Sequence, residues 1–233
     1  MCGRFLLITP ARVVAELFRA HAGLTGSQDA ILFQPRYNIA PSQPVLVVRN
    51  TKDGTGRELA GMRWGLVPSW AKDESIGLKT INCRSETALE KPMFRSLYER
   101  RRCLVPADGF YEWKAVPGRR TKQPMLIQVR EAGQPKTFAM AALWDRWRPP
   151  EGEPIDSVTI LTTAANEQVA PVHDRMPVIL PASAWDDWLA ARQPAPSAVE
   201  LSLTPVSTLV SNVRNDGPDL VRPVAVEEQG GLF

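Results

Sequence analysis

The stretch CLVPADGFYEWK (103–114) opens a run of strand-like segments that sets the architecture of this chain. Short runs rich in β-branched and aromatic residues recur after it, and polar or turn-forming residues separate them. This pattern is typical of successive β-strands. We therefore predict two early strands and five later ones, at 45–49, 59–66, 103–105, 110–114, 125–130, 137–144 and 157–163.

Helices are inserted irregularly among these strands. Thr9-Pro10 predicts an N-cap followed by proline at the first helical position, and an apolar stripe continues to about Ala22. Further short helices are expected at three places, after Ser85, from Pro92 and over 183–191. This mixed, mostly β order predicts an α+β fold with a curved, barrel-like, mostly antiparallel sheet, and it excludes a regular βαβ repeat.

Length and composition limit the class of protein. The chain has 233 residues, 44% hydrophobic and 23% charged, which excludes a disordered or fibrous protein. No apolar run approaches the roughly 20 residues that span a bilayer, and the early apolar segment 5–8 is too short for a signal-peptide core. We expect a cytoplasmic protein with one domain over 1–233, including a C-terminal tail at about 223–233.

Metal and cofactor chemistry is not indicated by any motif. The three cysteines are an odd number without a CxxC pair, which argues against a disulfide framework. The two histidines lack the ligand spacing of a zinc site, so no metal is expected. No GxGxxG or Walker sequence occurs, so no cofactor is expected.

Positive charge is concentrated in one part of the chain. Residues 79–122 hold eleven Lys or Arg against five Asp or Glu, and the whole chain has a net charge of +3. Arginine suits phosphate contacts, and basic charge mixed with aromatic residues suits a protein that binds single-stranded nucleic acid. The alternative is a solvated basic face over a tryptophan-rich core.

The start Met1-Cys2-Gly3-Arg4 offers distinctive chemistry if Met1 is removed. Cys2 would then carry a free amine with a pKa of about 7.7 to 8.0, well below the pKa of lysine. The amine can form an imine with an aldehyde, and the neighbouring thiol can close a thiazolidine ring on that imine. The alternative is that Cys2 is a small apolar residue in a first strand.

Two further side chains could move protons. Strand alternation places Glu112 within an aromatic strand, where burial would raise its pKa towards values useful in acid–base catalysis. His173 lies in a loop beside Asp174 and Arg175, a setting that suits a general acid or base. The alternatives are an edge-strand glutamate paired with Lys114 or an arginine, and a surface histidine.

Three more residues could contact a substrate. Asn82 can hydrogen-bond to a reacting centre without adding charge, and Arg84 can bind phosphate. Trp70 follows Pro68 in a loop, where its indole could stack on or wedge against a base. The alternatives are a plain helix-capping segment at 82–87 and tryptophans that pack in the core.

Read together, these segments resemble the SOS response-associated peptidase (SRAP) family of abasic-site processing proteins. Each motif is weak alone, but seven of them occur in order across 2–212. They are MCGRF (1–5), RYNIAPSQ (36–43), WGLVPSW (64–70), NCRSET (82–87), GFYEW (109–113), ILTT (160–163) and HDRMP (173–177).

The resemblance implies a single SRAP-like domain that captures abasic sites covalently. The N-terminal cysteine of the family forms a thiazolidine with the ring-opened abasic sugar in single-stranded DNA. On that pattern Cys2 is the nucleophile through both amine and sulfur. Asn82 orients the amine or the sugar, Glu112 shuttles protons, and His173 assists ring opening and Schiff-base chemistry. Cys83 departs from the family, which usually has alanine there.

The resemblance also implies the partners and leaves alternatives open. The expected partner is single-stranded DNA with abasic sites, with junctions to duplex as a further candidate, and a DNA-associated monomer is expected. A Cys2-dependent peptidase or amidohydrolase with N-terminal self-processing, and a non-covalent single-strand-binding module, remain alternatives. Seven residues match or lie near expected DNA contacts: Arg4, Asn38, Pro41, Trp70, Arg84, Thr162 and Arg175.

Overall fold

The computed structural model describes residues 2–22, 27–192 and 199–225. Most of the predicted C-terminal tail, from residue 226 onwards, therefore lies outside the described residues, as does residue 1. Within the described part of the chain, no helix is long and apolar enough to cross a membrane.

The chain forms fifteen described strands and three described α-helices. The helices are α1 (Ala11–Phe18), α2 (Pro92–Arg100) and α3 (Trp185–Leu189). The first strands are β1 (Phe5–Leu7), β2 (Ala20–Ala22), β3 (Arg36–Ile39), β4 (Pro44–Asn50), β5 (Arg57–Trp64), β6 (Asn82–Arg84), β7 (Arg102–Ala107) and β8 (Gly109–Lys114). The remaining strands are β9 (Gln123–Glu131), β10 (Gln134–Pro135), β11 (Phe138–Trp147), β12 (Ile155–Ala164), β13 (Arg175–Pro177), β14 (Ile179–Leu180) and β15 (Glu200–Pro205).

Five strands close on themselves into a barrel. They pair in the order β12-β11-β7-β4-β5, and β5 pairs back to β12 in parallel. The other pairings within this ring are antiparallel. A second sheet runs β10-β9-β8-β1-β3, with β15 added along β9. The α+β class and the curved, barrel-like, mostly antiparallel sheet are confirmed.

Aromatic side chains join the two sheets in a shared core. Phe5 of β1 meets Trp64 of β5 edge to face, with ring centroids 5.1 Å apart, and both side chains are fully buried. A second aromatic pair joins two helices, since Phe18 of α1 stacks on Trp185 of α3 with ring centroids 4.0 Å apart. Such pairs add about 0.5–1.5 kcal/mol each to the stabilisation from burial. The packing therefore fixes β1, and with it the start of the chain, against the barrel.

Two helical predictions need correction. The helix predicted to reach Ala22 ends at Phe18, because Arg19 adopts a left-handed conformation with φ of 50° and the chain continues as β2 alongside β5. The helix predicted after Ser85 is a single 3₁₀ turn, Ser85–Thr87. The helix beginning at Pro92 is confirmed, since it runs to Arg100 with proline in its first turn.

Thr9 does not cap helix α1 as predicted, because its side chain hydrogen-bonds to Asp108 instead. The buried Asp108 carboxylate accepts hydrogen bonds from the backbone N–H groups of Ile8 and Thr9, both at 2.7 Å. It also accepts from the hydroxyls of Thr9 at 2.9 Å and Thr137 at 2.5 Å. This carboxylate ties the end of β1 to the turn before β8.

We expect Asp108→Ala to lower the free energy of unfolding by about 2–4 kcal/mol, because several partly buried donors would lose their shared, buried acceptor. Urea unfolding followed by tryptophan fluorescence measures the change. Asp53→Ala is the matched control, since Asp53 also accepts from nearby hydroxyl and N–H groups but lies in an exposed loop. An equal loss of stability in both variants would contradict the role assigned to Asp108.

Candidate functional site

The pairing of β1 with β8 brings Cys2 next to Glu112. Phe5 lies opposite Phe110, and the Tyr111 N–H donates to the Arg4 carbonyl at 2.9 Å. Continued by two residues, this antiparallel register places Gly3 opposite Glu112, so Cys2 follows at the adjacent position. The charge of Glu112 raises the pKa of the Cys2 thiol, as expected for neighbours.

Cys2 is fully buried, which controls the state of its thiol. Burial is the main cause that raises the pKa of this thiol far above its ordinary value, and the charge of Glu112 adds to the effect. The Sγ atom lies 4.0 Å from the Arg4 carbonyl oxygen. The sulfur is therefore held as a neutral thiol near pH 7, and it needs a neighbouring base before it can act as a nucleophile.

Glu112 has the properties of such a base. Its side chain is 3% exposed, and burial raises its pKa to about 7. The chain's positive amino terminus and Lys122 act in the opposite direction, whereas the charge of Asp174 adds to the increase. A carboxyl group that is half ionised near neutral pH can both accept and donate a proton.

His173 shares this electrostatic environment. Burial is the main cause that lowers the pKa of His173. The positive amino terminus and Lys122 lower this pKa further, whereas the charge of Asp174 raises it. The same three charges act on Glu112. Because charges act strongly only over short distances, the shared influence of Lys122 and Asp174 indicates that the histidine and the glutamate lie near one another.

Two contacts of the His173 ring require different protonation states. The Arg175 N–H donates to Nδ1 at 2.9 Å, which requires an unprotonated Nδ1. The Asp174 carboxylate lies 2.8 Å from the same nitrogen, which is favourable only if Nδ1 carries a proton. We assign the neutral ring, because burial lowers the pKa. Nε2 then carries the proton, and protonation of the ring would favour Asp174 as its partner.

Trp64 connects the segment that contains Asn82 to β1. Its strand β6 pairs in parallel with β12, with Asn82 opposite Ile160. The Trp64 indole N–H donates to the carbonyl of Ile81 at 3.0 Å, and the same indole packs on Phe5. The Asn82 amide N–H donates to Ile81 at 3.0 Å. Its Oδ1 is buried and accepts no hydrogen bond from the described residues, so it can accept one from a substrate or an amine.

Arg4 and Asn38, two of the predicted DNA contacts, fasten a distant segment of the chain. Arg4 donates to Asn38 Oδ1 and to the Val210 carbonyl, both at 2.8 Å. The Asn38 amide donates to the carbonyls of Val210, Asn212 and Asn215 at 2.8–3.2 Å, and Asn38 is 1% exposed. The structure thus gives Asn38 a structural position below the surface.

Arg175 and Thr162 are brought together, but with Glu86 as a third partner. Arg175 donates two hydrogen bonds to the Glu86 carboxylate, at 2.7 and 2.8 Å, and one to the Thr162 carbonyl at 2.7 Å. These hydrogen bonds lower the pKa of Glu86 to about 2. Thr162 is 1% exposed. A phosphate bound here would share the Arg175 guanidinium with Glu86.

The other predicted DNA contacts are partly or fully exposed. Arg84 is exposed at the end of β6, Trp70 is 62% exposed, and Pro41 is half-buried. Lys122, whose charge acts on Glu112 and His173, was not predicted as a site residue. Lys122 could have been singled out only as one cation of a basic segment, because its effect on Glu112 and His173 depends on folding.

The extra thiol at position 83 belongs to an internal residue. Cys83 is buried, and burial raises its pKa to about 12. Cys103 is fully buried as well, and burial raises its pKa in the same way. Neither side chain is paired in a disulfide. Unlike Cys2 after removal of Met1, these two internal residues have no free α-amine, so they cannot close a thiazolidine ring and serve as internal controls for the chemistry of Cys2.

The chain is similar in sequence to a known protein family and to several of its members. The family profile described as "SOS response associated peptidase (SRAP)" matches residues 1–214. The chain is 41% identical over 231 residues to the abasic site processing protein YoqW of Bacillus subtilis (strain 168), covering 95% of this chain and 99% of that protein. It is 38% identical over 227 residues to the abasic site processing protein HMCES of Gallus gallus, covering 82% of this chain and 67% of that protein.

Solved structures share the fold. A protein of Bacteroides thetaiotaomicron superposes with a TM-score of 0.81 over 96% of this chain and 100% of its own, at 24% identity. A protein of Bordetella bronchiseptica gives a TM-score of 0.69 over 88% of this chain and 100% of its own, at 28% identity. The family profile covers most of the sequence, and the relatives align along nearly all of it. The chain therefore belongs to the SOS response associated peptidase (SRAP) family.

Proposed function

We propose that this protein captures abasic sites in single-stranded DNA by forming a thiazolidine between Cys2 and the ring-opened sugar. The observation that carries this proposal is the burial of Cys2 beside Glu112, a carboxyl group with a pKa of about 7. The names of the relatives, which are abasic site processing proteins, support the same class of substrate. Capture requires removal of Met1, which frees the α-amine of Cys2.

The first step joins the Cys2 amine to the sugar aldehyde. The amine attacks the carbonyl carbon, the carbinolamine loses water, and an imine remains. Glu112 accepts a proton from the attacking nitrogen and can return it to the departing hydroxyl group. His173, neutral with a proton on Nε2, can donate to the sugar oxygen while the ring opens. The Oδ1 atom of Asn82, which has no hydrogen-bond partner among the described residues, can accept a hydrogen bond from the amine and so orient it.

The second step closes the ring. The Cys2 sulfur adds to the imine carbon, a carbon–sulfur bond forms, and the imine nitrogen gains the proton that the thiol loses. Because burial holds this thiol protonated, a base must remove its proton, and Glu112 is the neighbouring carboxylate. The overall reaction releases one water molecule and needs no redox partner. Amine and thiol belong to one residue, so ring closure is intramolecular.

Arg84 and Trp70 are the exposed residues suited to hold the DNA. Arg84 follows Asn82 in the same short strand, which places a cation next to the reacting centre. Trp70 presents an indole on which a neighbouring base can stack. An abasic site lacks its own base, so exposing its sugar carries little unstacking cost. Non-covalent binding should weaken with salt, whereas the finished crosslink should survive salt and denaturant.

Intact-mass spectrometry after incubation with an abasic oligonucleotide tests the proposal. The expected species has the mass of the protein without Met1 plus the oligonucleotide minus one water. An oligonucleotide with a reduced abasic site, which has no aldehyde, is the matched control and should give no adduct. A protein that keeps Met1 and still forms the adduct would overturn the proposal.

The peptidase alternative uses the same side chains and is separated by turnover. The family takes its name from a peptidase activity, and a thiol, a carboxyl group and an imidazole, those of Cys2, Glu112 and His173, are groups that can serve amide hydrolysis. That activity predicts multiple turnovers of a peptide and no stable DNA adduct. The non-covalent alternative predicts equal affinity for intact and abasic strands. A denaturing gel and a peptide-release assay on one preparation distinguish the three functions.

A further inference from the structure

An arginine-rich cleft of about 480 Å³ opens where β4 and β11 end and β7 begins. Seven cationic side chains and a single carboxylate, that of Glu99, line it. None of these residues takes part in the proposed capture chemistry. A concentration of one sign of charge in a concave surface raises the local concentration of anionic ligands.

Three of the cations are used inside the protein. Arg146 donates to the Asp156 carboxylate at 2.5 and 2.7 Å, and Arg49 contacts the same carboxylate at 3.3 Å. Arg102 is buried and donates to the main-chain carbonyls of Tyr98 and Arg192. These side chains build the walls of the cleft, and they do not account for its excess of charge.

Three other cations keep their charge available. Lys52, Arg100 and Arg148 are exposed and form no hydrogen bond or ion pair with any of the residues the structure describes. Like charges gathered in this way repel one another unless an anion binds between them. The cleft therefore has the charge of a binding site for an anionic polymer or group.

Arg101 is held in place at the side of the cleft. Its guanidinium lies over the Trp144 ring at 4.6 Å, and its Nε is 4.0 Å from the Asp145 carboxylate. Arg49 lies over the same ring at 4.3 Å. Trp144 thus holds two guanidinium groups in place, and its ring is already covered by these contacts. The cleft offers cations and not aromatic faces, which suits phosphates and not bases.

The cleft continues towards the exposed Trp70. Arg100 and Arg101 also line a second cleft that contains Ser69 and Trp70. The Ser69 N–H donates to the Asp145 carboxylate at 2.8 Å, which attaches the Trp70 loop to β11. A ligand that passes Trp70 can therefore reach the arginine-rich cleft along one surface.

We propose that this cleft binds the phosphodiester backbone of the captured DNA at a distance from the abasic site, an inference that rests on the proposed function. Trp144 pairs with Val158 and Arg175 with Ala164, six residues further along β12. Strands rise about 3.3 Å per residue, so the cleft lies roughly 20 Å from the His173 loop. Only DNA that extends beyond the lesion spans this distance, and the extension can be single-stranded or duplex.

Fluorescence anisotropy with DNA that carries a non-reactive, reduced abasic site tests the proposal. Three probes are compared: a short strand that covers only the capture site, a strand extended on both sides, and the same extension as duplex. Arg148→Gln is matched with Arg12→Gln, an exposed arginine of α1 outside the cleft. The double variant Arg100→Gln/Arg148→Gln enlarges the effect.

We expect Arg148→Gln to weaken binding of an extended probe roughly tenfold and to leave the short probe and the Arg12→Gln control unchanged. The slope of log affinity against log salt should fall by about 0.7 per arginine on a single strand and about 0.9 on duplex. The extension that shows the loss identifies the bound form. Equal affinities of the Arg148 and Arg12 variants for both extended probes would overturn the proposal.

The two proposals can fail separately. Crosslinking of a short abasic strand at saturating concentration should be the same in wild type and Arg100→Gln/Arg148→Gln, because the cleft is not needed for chemistry. If no protein forms a crosslink, covalent capture is wrong, yet the anisotropy with non-reactive DNA still reports on the cleft. If crosslinks form and the cleft variants bind extended DNA normally, only the cleft proposal is wrong.

Discussion

Cys2→Ala is expected to abolish the denaturant-resistant adduct with abasic DNA, a loss on the order of 10³-fold or more in capture rate. Alanine retains the amine but lacks the sulfur that closes the ring, so only a reversible imine can form. Alanine is small and neutral, so removal of Met1 should proceed as in the wild type. The measurement is the rate of adduct formation on denaturing gels under single-turnover conditions.

Cys2→Ser and a reductive trap separate the two halves of this reaction. With borohydride present, both the alanine and serine variants should give a trapped adduct, because the reagent reduces the imine before it hydrolyses. Without borohydride, neither should accumulate one that survives denaturation. Cys83→Ala is the matched control, since this internal cysteine has no α-amine with which to form a thiazolidine, and the variant should capture DNA at the wild-type rate. Wild-type adduct yields from Cys2→Ala would rule out the thiazolidine.

Glu112→Gln is expected to slow capture by about 10²–10⁴-fold at neutral pH, the usual contribution of a positioned acid–base group. Glutamine keeps the size and polarity of the side chain but cannot accept the thiol or amine proton. In the wild type, the rate should rise as the pH increases through about 7, where the carboxyl group ionises. That rise should be missing in the variant, which retains only the pH dependence of the α-amine.

Stability should change in the opposite direction to activity. A carboxyl pKa raised to about 7 in the fold, against about 4.3 in the unfolded chain, means that the folded state binds the proton more tightly. The associated stability is present below pH 4.3 and is lost as pH rises through 7. Glu112→Gln avoids this loss, so above pH 7 it should be more stable than the wild type, by about 4 kcal/mol at most.

Urea unfolding of both proteins at acidic and basic pH checks this result. A catalytic role for Glu112 predicts an inactive variant with unchanged or higher stability at basic pH. A merely structural role predicts an inactive variant that is also less stable throughout the range. Slow capture together with a general loss of stability would contradict the assignment of Glu112 as the proton carrier.

Much of the architecture was predictable because the determining interactions are local. Strand segments such as 137–144 and 157–163 are encoded by their own apolar and β-branched residues. The observed β11 covers the first segment from Phe138 onwards, and β12 contains the second. The start of α2 follows from Pro92 in the same way. The end of α1 could not be predicted in this way. The helix stops before Arg19 because the chain continues as β2, which pairs with β5, a strand far away in the sequence.

In the candidate site, too, some properties follow from the local sequence and others from tertiary contacts. The amino acid sequence by itself determined the chemical types present: a cysteine after the initiator methionine, a carboxylate in an aromatic strand, and a histidine in a loop. Only the tertiary structure decided their states. The pKa of Glu112 depends on burial, and Asn38 is enclosed by carbonyls about 170 residues away, at Val210 and beyond. Burial and long-range hydrogen bonds arise when distant segments pack together, so no local pattern records them.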